Sequence, residues 1–92
     1  MSNRRKDKPT LALYPSAQRV YSRMSIGTDH SIALLFKALR PNADDVPLRA
    51  QQQALGWIFY RINLGLKDGG HPYHIAPGKA RHTYRLYNSP RP

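Results

Sequence analysis

The clearest helical spacing of apolar residues lies in TDHSIALLFKALRPN, residues 28–42. The apolar positions that follow the i, i+3, i+4, i+7 template of an amphipathic helix are Ile32, Leu35, Phe36 and Leu39. Thr28 or Asp29 can cap the start of this helix, because both side chains accept hydrogen bonds from free backbone N–H groups. Pro41 ends it, since the residue before a proline is disfavoured in helical geometry.

Two further helices are predicted on either side of this segment. PLRAQQQALGWIFYRINLGL predicts the longest one, from about Pro47 to Leu64, with Asp44 or Asp45 placed for a cap and Pro47 at the first helical position. Its apolar face comprises Leu48, Leu55, Ile58, Phe59 and Ile62. Upstream, YPSAQRVYSRMSIG predicts a short helix that begins near Pro15 and runs through Met24.

The spacing changes to period two in HPYHIAPGKARHTYRLY, residues 71–87. Tyr73 and Ile75 alternate with polar or small residues before Pro77-Gly78, and Tyr84 and Leu86 do so after it. This pattern predicts a two-stranded β-hairpin. Because a lone hairpin is marginal in water, its apolar face is expected to pack on the helices.

These elements predict one small α+β domain, mostly helical, with three helices followed by a two-stranded hairpin. The domain is expected to span residues 10–88, preceded by a disordered basic arm at 1–9 and followed by a flexible tail at 89–92. No apolar run approaches the roughly 20 residues of a membrane span, and MSNRRKDKP has no apolar segment behind its charges. We therefore expect a cytoplasmic protein without membrane contact.

Charge narrows the choice of partner. Fifteen Lys and Arg residues oppose five Asp and no Glu, giving a net charge of +10. Ten of the fifteen are Arg, whose planar fork suits phosphate and guanine. A chain this basic favours a polyanion, most simply nucleic acid. The open alternative is a generic basic surface kept for solubility, a task that acidic residues perform better.

Catalysis and metal binding find little support in the sequence. His71, His74 and His82 offer imidazoles, but there is no cysteine and the nearest carboxylate is Asp68, whereas structural zinc sites usually take four ligands. No Gly-x-Ser-x-Gly elbow and no phosphate-binding Gly-rich loop is present. We expect a non-enzymatic protein without a cofactor, whose histidines are polar surface positions.

The order of elements resembles that of the winged helix-turn-helix proteins, a large class of DNA-binding regulators. The resemblance rests on SIALLFKAL, PLRAQQQALGWIFYRINLGL and KDGGHPYHIAPGKARHTYRLY, and it covers residues 15–87 as a pattern of elements, without a diagnostic motif. It implies that the long helix enters the major groove while the hairpin tip contacts phosphates or the minor groove. The segment from Arg40 to Val46 is longer than the turn of the simplest helix-turn-helix.

The expected nucleic-acid-binding residues form three groups: the resemblance implies the first two, and the basic residues of the N-terminal arm indicate the third. Those on the recognition helix are Arg49, Gln52, Gln53, Tyr60 and Arg61. Those on the wing are Lys79, Arg81, His82 and Arg85. Those on the N-terminal arm are Arg4, Arg5, Lys6 and Lys8, which would follow phosphates or enter a minor groove. Each group can also be an ordinary solvated surface.

The expected function is that of a small transcriptional regulator or accessory DNA-binding factor, of the size common on phages and mobile elements, which associates with the nucleoid when bound. Double-stranded DNA is the expected partner, a homodimer is an open alternative, and the sequence does not decide whether a small-molecule effector binds. Trp57 and the tyrosines are expected in the core or at a dimer contact; otherwise they would stack on exposed bases. A single-stranded nucleic-acid or RNA-binding module, or an inhibitor of a protein with an acidic surface, are the alternatives.

Overall fold

The computed structural model describes residues 8–89 as three helices and one small antiparallel sheet. In chain order the elements are α1 (Pro15–Ser22), β1 (Asp29–Ser31), α2 (Ile32–Leu39), α3 (Leu48–Asp68), β2 (His74–Pro77) and β3 (Thr83–Tyr87). The α+β class and the three helices predicted from the sequence are confirmed.

One core joins the helices to the sheet. Its largest fully buried side chains are Val20, Met24, Ile32, Leu35, Leu55, Ile62, Leu66 and Leu86. The hairpin packs as its alternation predicted, because Ile75 and Leu86 are buried while Tyr73 and Tyr84 lie partly buried against the same core. The ring of Tyr84 lies 4.4 Å, centroid to centroid, from that of Phe59 on α3.

The predicted hairpin is present as β2 and β3, but within residues 8–89 the sheet has a third strand, β1, that the sequence did not predict. The strand order is β1-β3-β2, and both pairings are antiparallel. Asp29 faces Arg85 across the β1–β3 pair. Consequently neither Thr28 nor Asp29 caps α2, whose N-cap is Ser31 with no side-chain hydrogen bond. The β1 strand, with the sequence DHS, carries no apolar residue to mark it in the sequence.

Both ends of α2 depend on distant parts of the chain. At its start the Ile32 N–H donates to the carbonyl oxygen of His82 at 2.9 Å. At its end the Arg19 guanidinium, from α1, donates to the carbonyl oxygens of Ala38 and Leu39, each at 3.1 Å. Carbonyls at a helix C-terminus lack intrahelical donors, so Arg19 supplies what α2 cannot.

The other helix bounds differ from the sequence predictions at their ends. α1 begins at Pro15 as predicted but ends at Ser22, and Arg23 and Met24 continue as a tight turn. Pro47 is the N-cap of α3 and not its first residue, and neither Asp44 nor Asp45 caps it.

α3 also runs one turn further than predicted, to Asp68, through Gly65. Leu66 is fully buried, and Leu11 and Leu13 from the N-terminal segment lie against Gly65. Tertiary packing therefore outweighs the cost of a helical glycine, about 1 kcal/mol.

Candidate nucleic-acid interface

The carboxylate of Asp29 contributes several of the contacts that hold the loop between β2 and β3, residues 78–82. Asp29 accepts hydrogen bonds from the backbone N–H groups of Lys79 (3.1 Å) and Ala80 (2.9 Å). It also forms an ion pair with Arg85, whose Nε lies 2.7 Å from Oδ1. The backbone of this loop, called the hairpin loop below, is therefore fixed while the side chains of Lys79, Arg81 and His82 are exposed.

The conformation of the hairpin loop restricts which residues fit it. A Cβ on Gly78 would collide with the Asp29 carboxylate and the Thr83 hydroxyl, so a larger residue fits this position only if these side chains shift. His82 has a φ of 53°, in the left-handed region that non-glycine residues seldom adopt. Its carbonyl oxygen is the acceptor for Ile32 N–H, and that bond ties the loop to the start of α2.

The electrostatics of Asp29 follow from these contacts. The Ala80 N–H and the Arg85 guanidinium hold the pKa of the Asp29 carboxyl below its usual range, with smaller help from the Lys79 N–H. Charged donors and backbone N–H groups favour the ionised carboxylate. Arg85, predicted as a phosphate contact, pairs through its Nε with Asp29 and lies partly buried on the central strand.

The side chain of Asn63 hydrogen-bonds the hairpin to α3, beside the packing of Tyr84 on Phe59. The Asn63 amide donates to the Ile75 carbonyl oxygen at 3.0 Å and accepts from the Ile75 N–H at 2.7 Å. β2 is an edge strand, and Asn63 occupies the place that a neighbouring strand would take at Ile75. The hairpin is thus fixed to α3 at this end and to β1 through Asp29.

The predicted recognition residues lie on the solvent side of α3. Arg49, Gln52, Gln53, Tyr60 and Arg61 are all exposed. The guanidinium of Arg61 donates to the Tyr14 hydroxyl at 2.9 Å and its Cζ lies 4.8 Å from the Tyr14 ring centroid, so Arg61 links α3 to the start of α1. Gln51 points the other way, and its Nε2 donates to the carbonyl oxygen of Val46.

Apolar side chains continue the exposed side of α3 toward its C-terminus. Trp57 is 71% exposed, Tyr60 56% and Leu64 40%, and the Trp57 and Tyr60 rings meet edge to face at 6.4 Å between centroids. Of the two positions expected for Trp57, the core is wrong, and a dimer contact stays a prediction. We call this surface the α3 outer face; it consists of Arg49, Gln53, Gly56, Trp57, Tyr60 and Leu64.

The predicted N-terminal arm is described only in part. Arg4, Arg5 and Lys6 lie outside the described residues. Lys8 belongs to the folded unit: its ammonium donates to the Tyr21 carbonyl oxygen and lies 4.5 Å from the Tyr21 ring centroid. Burial lowers the pKa of Lys8 and raises that of Tyr21 to about 12. The Tyr21 hydroxyl donates to the Pro9 carbonyl oxygen at 2.7 Å, which anchors the start of the described chain.

A second group of basic residues was not found from the sequence. Arg23, His30 and Lys37 come from three segments and line a shallow pocket of about 210 Å³, together with Leu34, Leu35 and Ala38. One sequence signal could have indicated this pocket: Leu34 is an apolar residue of α2 that falls outside the template of apolar positions facing the core. The basic surface is therefore not confined to α3 and the hairpin loop.

The histidines are dispersed. His30 Nε2 accepts from the Ser25 N–H at 2.9 Å, and His74 stacks on Tyr87 with 5.2 Å between ring centroids. Within residues 8–89 no three His, Cys, Asp or Glu side chains lie close enough together to hold a metal ion.

None of the helices found in the described part of the chain has the length and apolar character needed to cross a bilayer. Comparison with known proteins finds no matching family model, no matching curated protein and no matching solved structure.

Proposed function

We propose that the chain is a small, non-enzymatic DNA-binding protein of the winged helix-turn-helix type, with α2 and α3 as the helix pair and the β2–β3 hairpin as the wing. Its role would be that of a transcriptional regulator or accessory factor, of the kind that phages and mobile elements encode, acting in the cytoplasm on nucleoid DNA. The element order α1-β1-α2-α3-β2-β3 and the sheet order β1-β3-β2 support this proposal.

The observation that carries the proposal is the fixed hairpin loop. Lys79 and Arg81 project from a backbone that Asp29 holds in one conformation, so two cations are presented to solvent with little backbone entropy left to lose. Preorganised cations of this kind suit the regularly spaced phosphates of a duplex.

α3 would read the bases. Arg49, Gln52 and Gln53 are exposed in its first two turns, and Arg pairs with the guanine edge while Gln pairs with that of adenine. The seven-residue loop from Arg40 to Val46 is longer than a minimal helix-turn-helix turn, but Ala43 and Val46 within it pack on the core and connect the two helices firmly.

In vitro selection on random duplexes, followed by titration of the selected site, tests this function. Arg49→Ala is expected to weaken the selected site by about 1–3 kcal/mol more than random DNA. The double variant Lys79→Ala with Arg81→Ala is expected to weaken all sequences and to reduce the slope of log affinity against log salt by about 2.

A charge-matched control separates the hairpin loop from net charge. Arg23→Ala with Lys37→Ala removes the same two charges from the pocket between α1 and α2. If both double variants reduce affinity equally, the hairpin loop has no special role. If the wild-type chain binds no nucleic acid at low salt, the proposal fails and an acidic protein partner takes its place.

A further inference from the structure

We propose that the α3 outer face is a stacking platform for unpaired nucleobases, so that the protein favours DNA in which a duplex adjoins unpaired nucleotides. The inference rests on the proposed DNA binding and adds the class of site that is bound. It starts from the exposure of the Trp57 and Tyr60 rings, which the packing of the described chain leaves uncovered.

The aromatic surface is continuous and not a single stray residue. Trp57 and Tyr60 meet edge to face at 6.4 Å, and Leu64 lies one helical turn further along. The guanidinium of Arg61, which follows Tyr60 in the chain, lies over the Tyr14 ring. Single exposed apolar residues are normal on a protein surface, whereas a grouped aromatic patch marks a binding surface.

The glycine in this face leaves room for a planar ligand. Gly56 lies one turn before Tyr60, and a Cβ at Gly56 would have no neighbour within 4 Å. Side chains on a helix lean toward its N-terminus, so the Tyr60 ring borders the space above Gly56. No part of the described chain needs a glycine there, and a helical glycine costs about 1 kcal/mol relative to alanine. The open space is therefore available to a partner.

The charges on the same side of α3 favour a polyanion over a second copy of the chain. Arg49 and Arg61 lie on this side of the helix, and the acidic residue within α3 is Asp68, at its far end. A symmetric dimer through this face would bring the cations of two chains, each carrying +10, against one another. Aromatic rings beside arginines instead match the requirements of unpaired bases and their phosphates.

The platform adjoins the residues proposed to read the duplex. Trp57 is four residues after Gln53, a rise of about 6 Å along the helix. If Arg49, Gln52 and Gln53 contact a duplex, unpaired or extruded nucleotides at the edge of that duplex would thus lie close to Trp57. The site fits a junction, a bubble or a flipped base.

The experiment uses the full chain and three labelled DNA probes at one salt concentration: a paired duplex, the same duplex with a central bubble of unpaired thymines, and an oligothymidine. Trp57 is the sole tryptophan, so its intrinsic fluorescence reports stacking directly. We expect the bubble to bind tighter than the duplex, with quenching of Trp57 by the bubble and by the oligothymidine. Trp57→Ala should reduce affinity for the bubble about tenfold and leave duplex affinity unchanged, whereas Trp57→Phe should retain most of the preference.

Leu34→Ala is the matched control, because Leu34 is also 71% exposed but lies on α2, outside the α3 outer face. It should leave all three affinities unchanged. If the duplex binds while the bubble adds no affinity and Trp57 is not quenched, the platform is refuted and DNA binding stands. If no probe binds at low salt, both proposals fail. If Trp57→Ala converts a dimer to a monomer in sedimentation without changing the preference for the bubble, a second copy covers this face and the platform is refuted.

Discussion

The side chain of Asn63 makes two hydrogen bonds with the backbone of Ile75, one in each direction, and thereby fixes the edge strand of the sheet to α3. Ile75 is buried, so neither of its backbone groups has ready access to water if the amide is lost. Asn63 thus adds a polar connection to the packing of Tyr84 on Phe59 that positions the hairpin on α3, and the hairpin carries the exposed cations of the proposed interface.

Asn63→Asp is expected to lower the free energy of unfolding by about 1–3 kcal/mol. The variant removes the donor to the Ile75 carbonyl oxygen and sets a carboxylate oxygen against it, at nearly unchanged size. Denaturant unfolding measures the effect. Gln52→Glu makes the same amide-to-carboxylate change at an exposed position of α3 and should alter stability far less; an equal loss in the two variants would show that charge, and not the Ile75 contact, is responsible.

Asp29→Asn is expected to destabilise the chain at neutral pH, by an amount that shrinks in acid. The folded-state pKa of Asp29 is lowered by the Ala80 N–H and by Arg85, so its contribution is present above the unfolded-state pKa and is lost as pH falls through the folded-state value. Thermal unfolding of both chains across the acidic range checks this. The remaining aspartates are common to both chains and cancel in the difference, which would stay constant with pH if the pKa of Asp29 were the same in the folded and the unfolded chain.

Gly78→Ala tests the same contact from the other side. Its Cβ would collide with the Asp29 carboxylate and the Thr83 hydroxyl, so we expect the hairpin loop to lose its fixed conformation. Amide hydrogen exchange at Lys79 and Ala80 should become faster. The helical amides of α3 provide the internal control, and unchanged protection of Lys79 and Ala80 would contradict the role given to Asp29.

Gly56→Ala is expected to stabilise the fold by about 1 kcal/mol, because alanine is the better helix former and the added methyl group meets nothing. Thermal unfolding measures this. The same variant should weaken binding of the bubble probe, since the methyl group would occupy the space above residue 56 that the Tyr60 ring borders. A more stable variant with undiminished binding would show that the ligand does not approach Gly56.

Tyr21→Phe is expected to cost about 1 kcal/mol of stability through loss of the hydrogen bond to the Pro9 carbonyl oxygen. In the wild-type chain, burial raises the Tyr21 pKa to about 12, so this contribution is complete below the ordinary tyrosine pKa and is lost as pH rises through the folded value. In a spectrophotometric titration of the tyrosines, the variant should lack one phenol that ionises at a pH above the ordinary tyrosine pKa. Tyr60→Phe, at an exposed position, should leave the late component in place.

The spacing of apolar residues along the chain predicted the elements whose buried face recurs at a regular interval. The spacing of Ile32, Leu35 and Leu39 was sufficient for α2, and alternation was sufficient for the buried face of the hairpin. β1 was missed because three residues without an apolar position carry no period, and its pairing with β3 joins residues more than fifty positions apart.

In the candidate site, too, local features were predicted from the sequence, whereas contacts between distant residues were not. The sequence identified the cations of the hairpin loop. It did not identify Asp29 as the carboxylate that holds the backbone of this loop, because Asp29 lies just before α2 and was expected to cap that helix. It also placed Trp57 on a helix without revealing what would cover it. Exposure depends on the arrangement of all three helices, which no single helix encodes.

Both ends of α2 are hydrogen-bonded by residues from other segments, and this affects how the protein unfolds locally. An eight-residue helix is far below the length at which a helix persists alone in water, and here its first N–H is satisfied by His82 and its last carbonyls by Arg19. Detachment of either the hairpin or α1 would leave α2 unable to persist. α2 is therefore expected to exchange its amide protons only together with its neighbours, so that disturbance at the hairpin is transmitted to the middle of the molecule as one cooperative event.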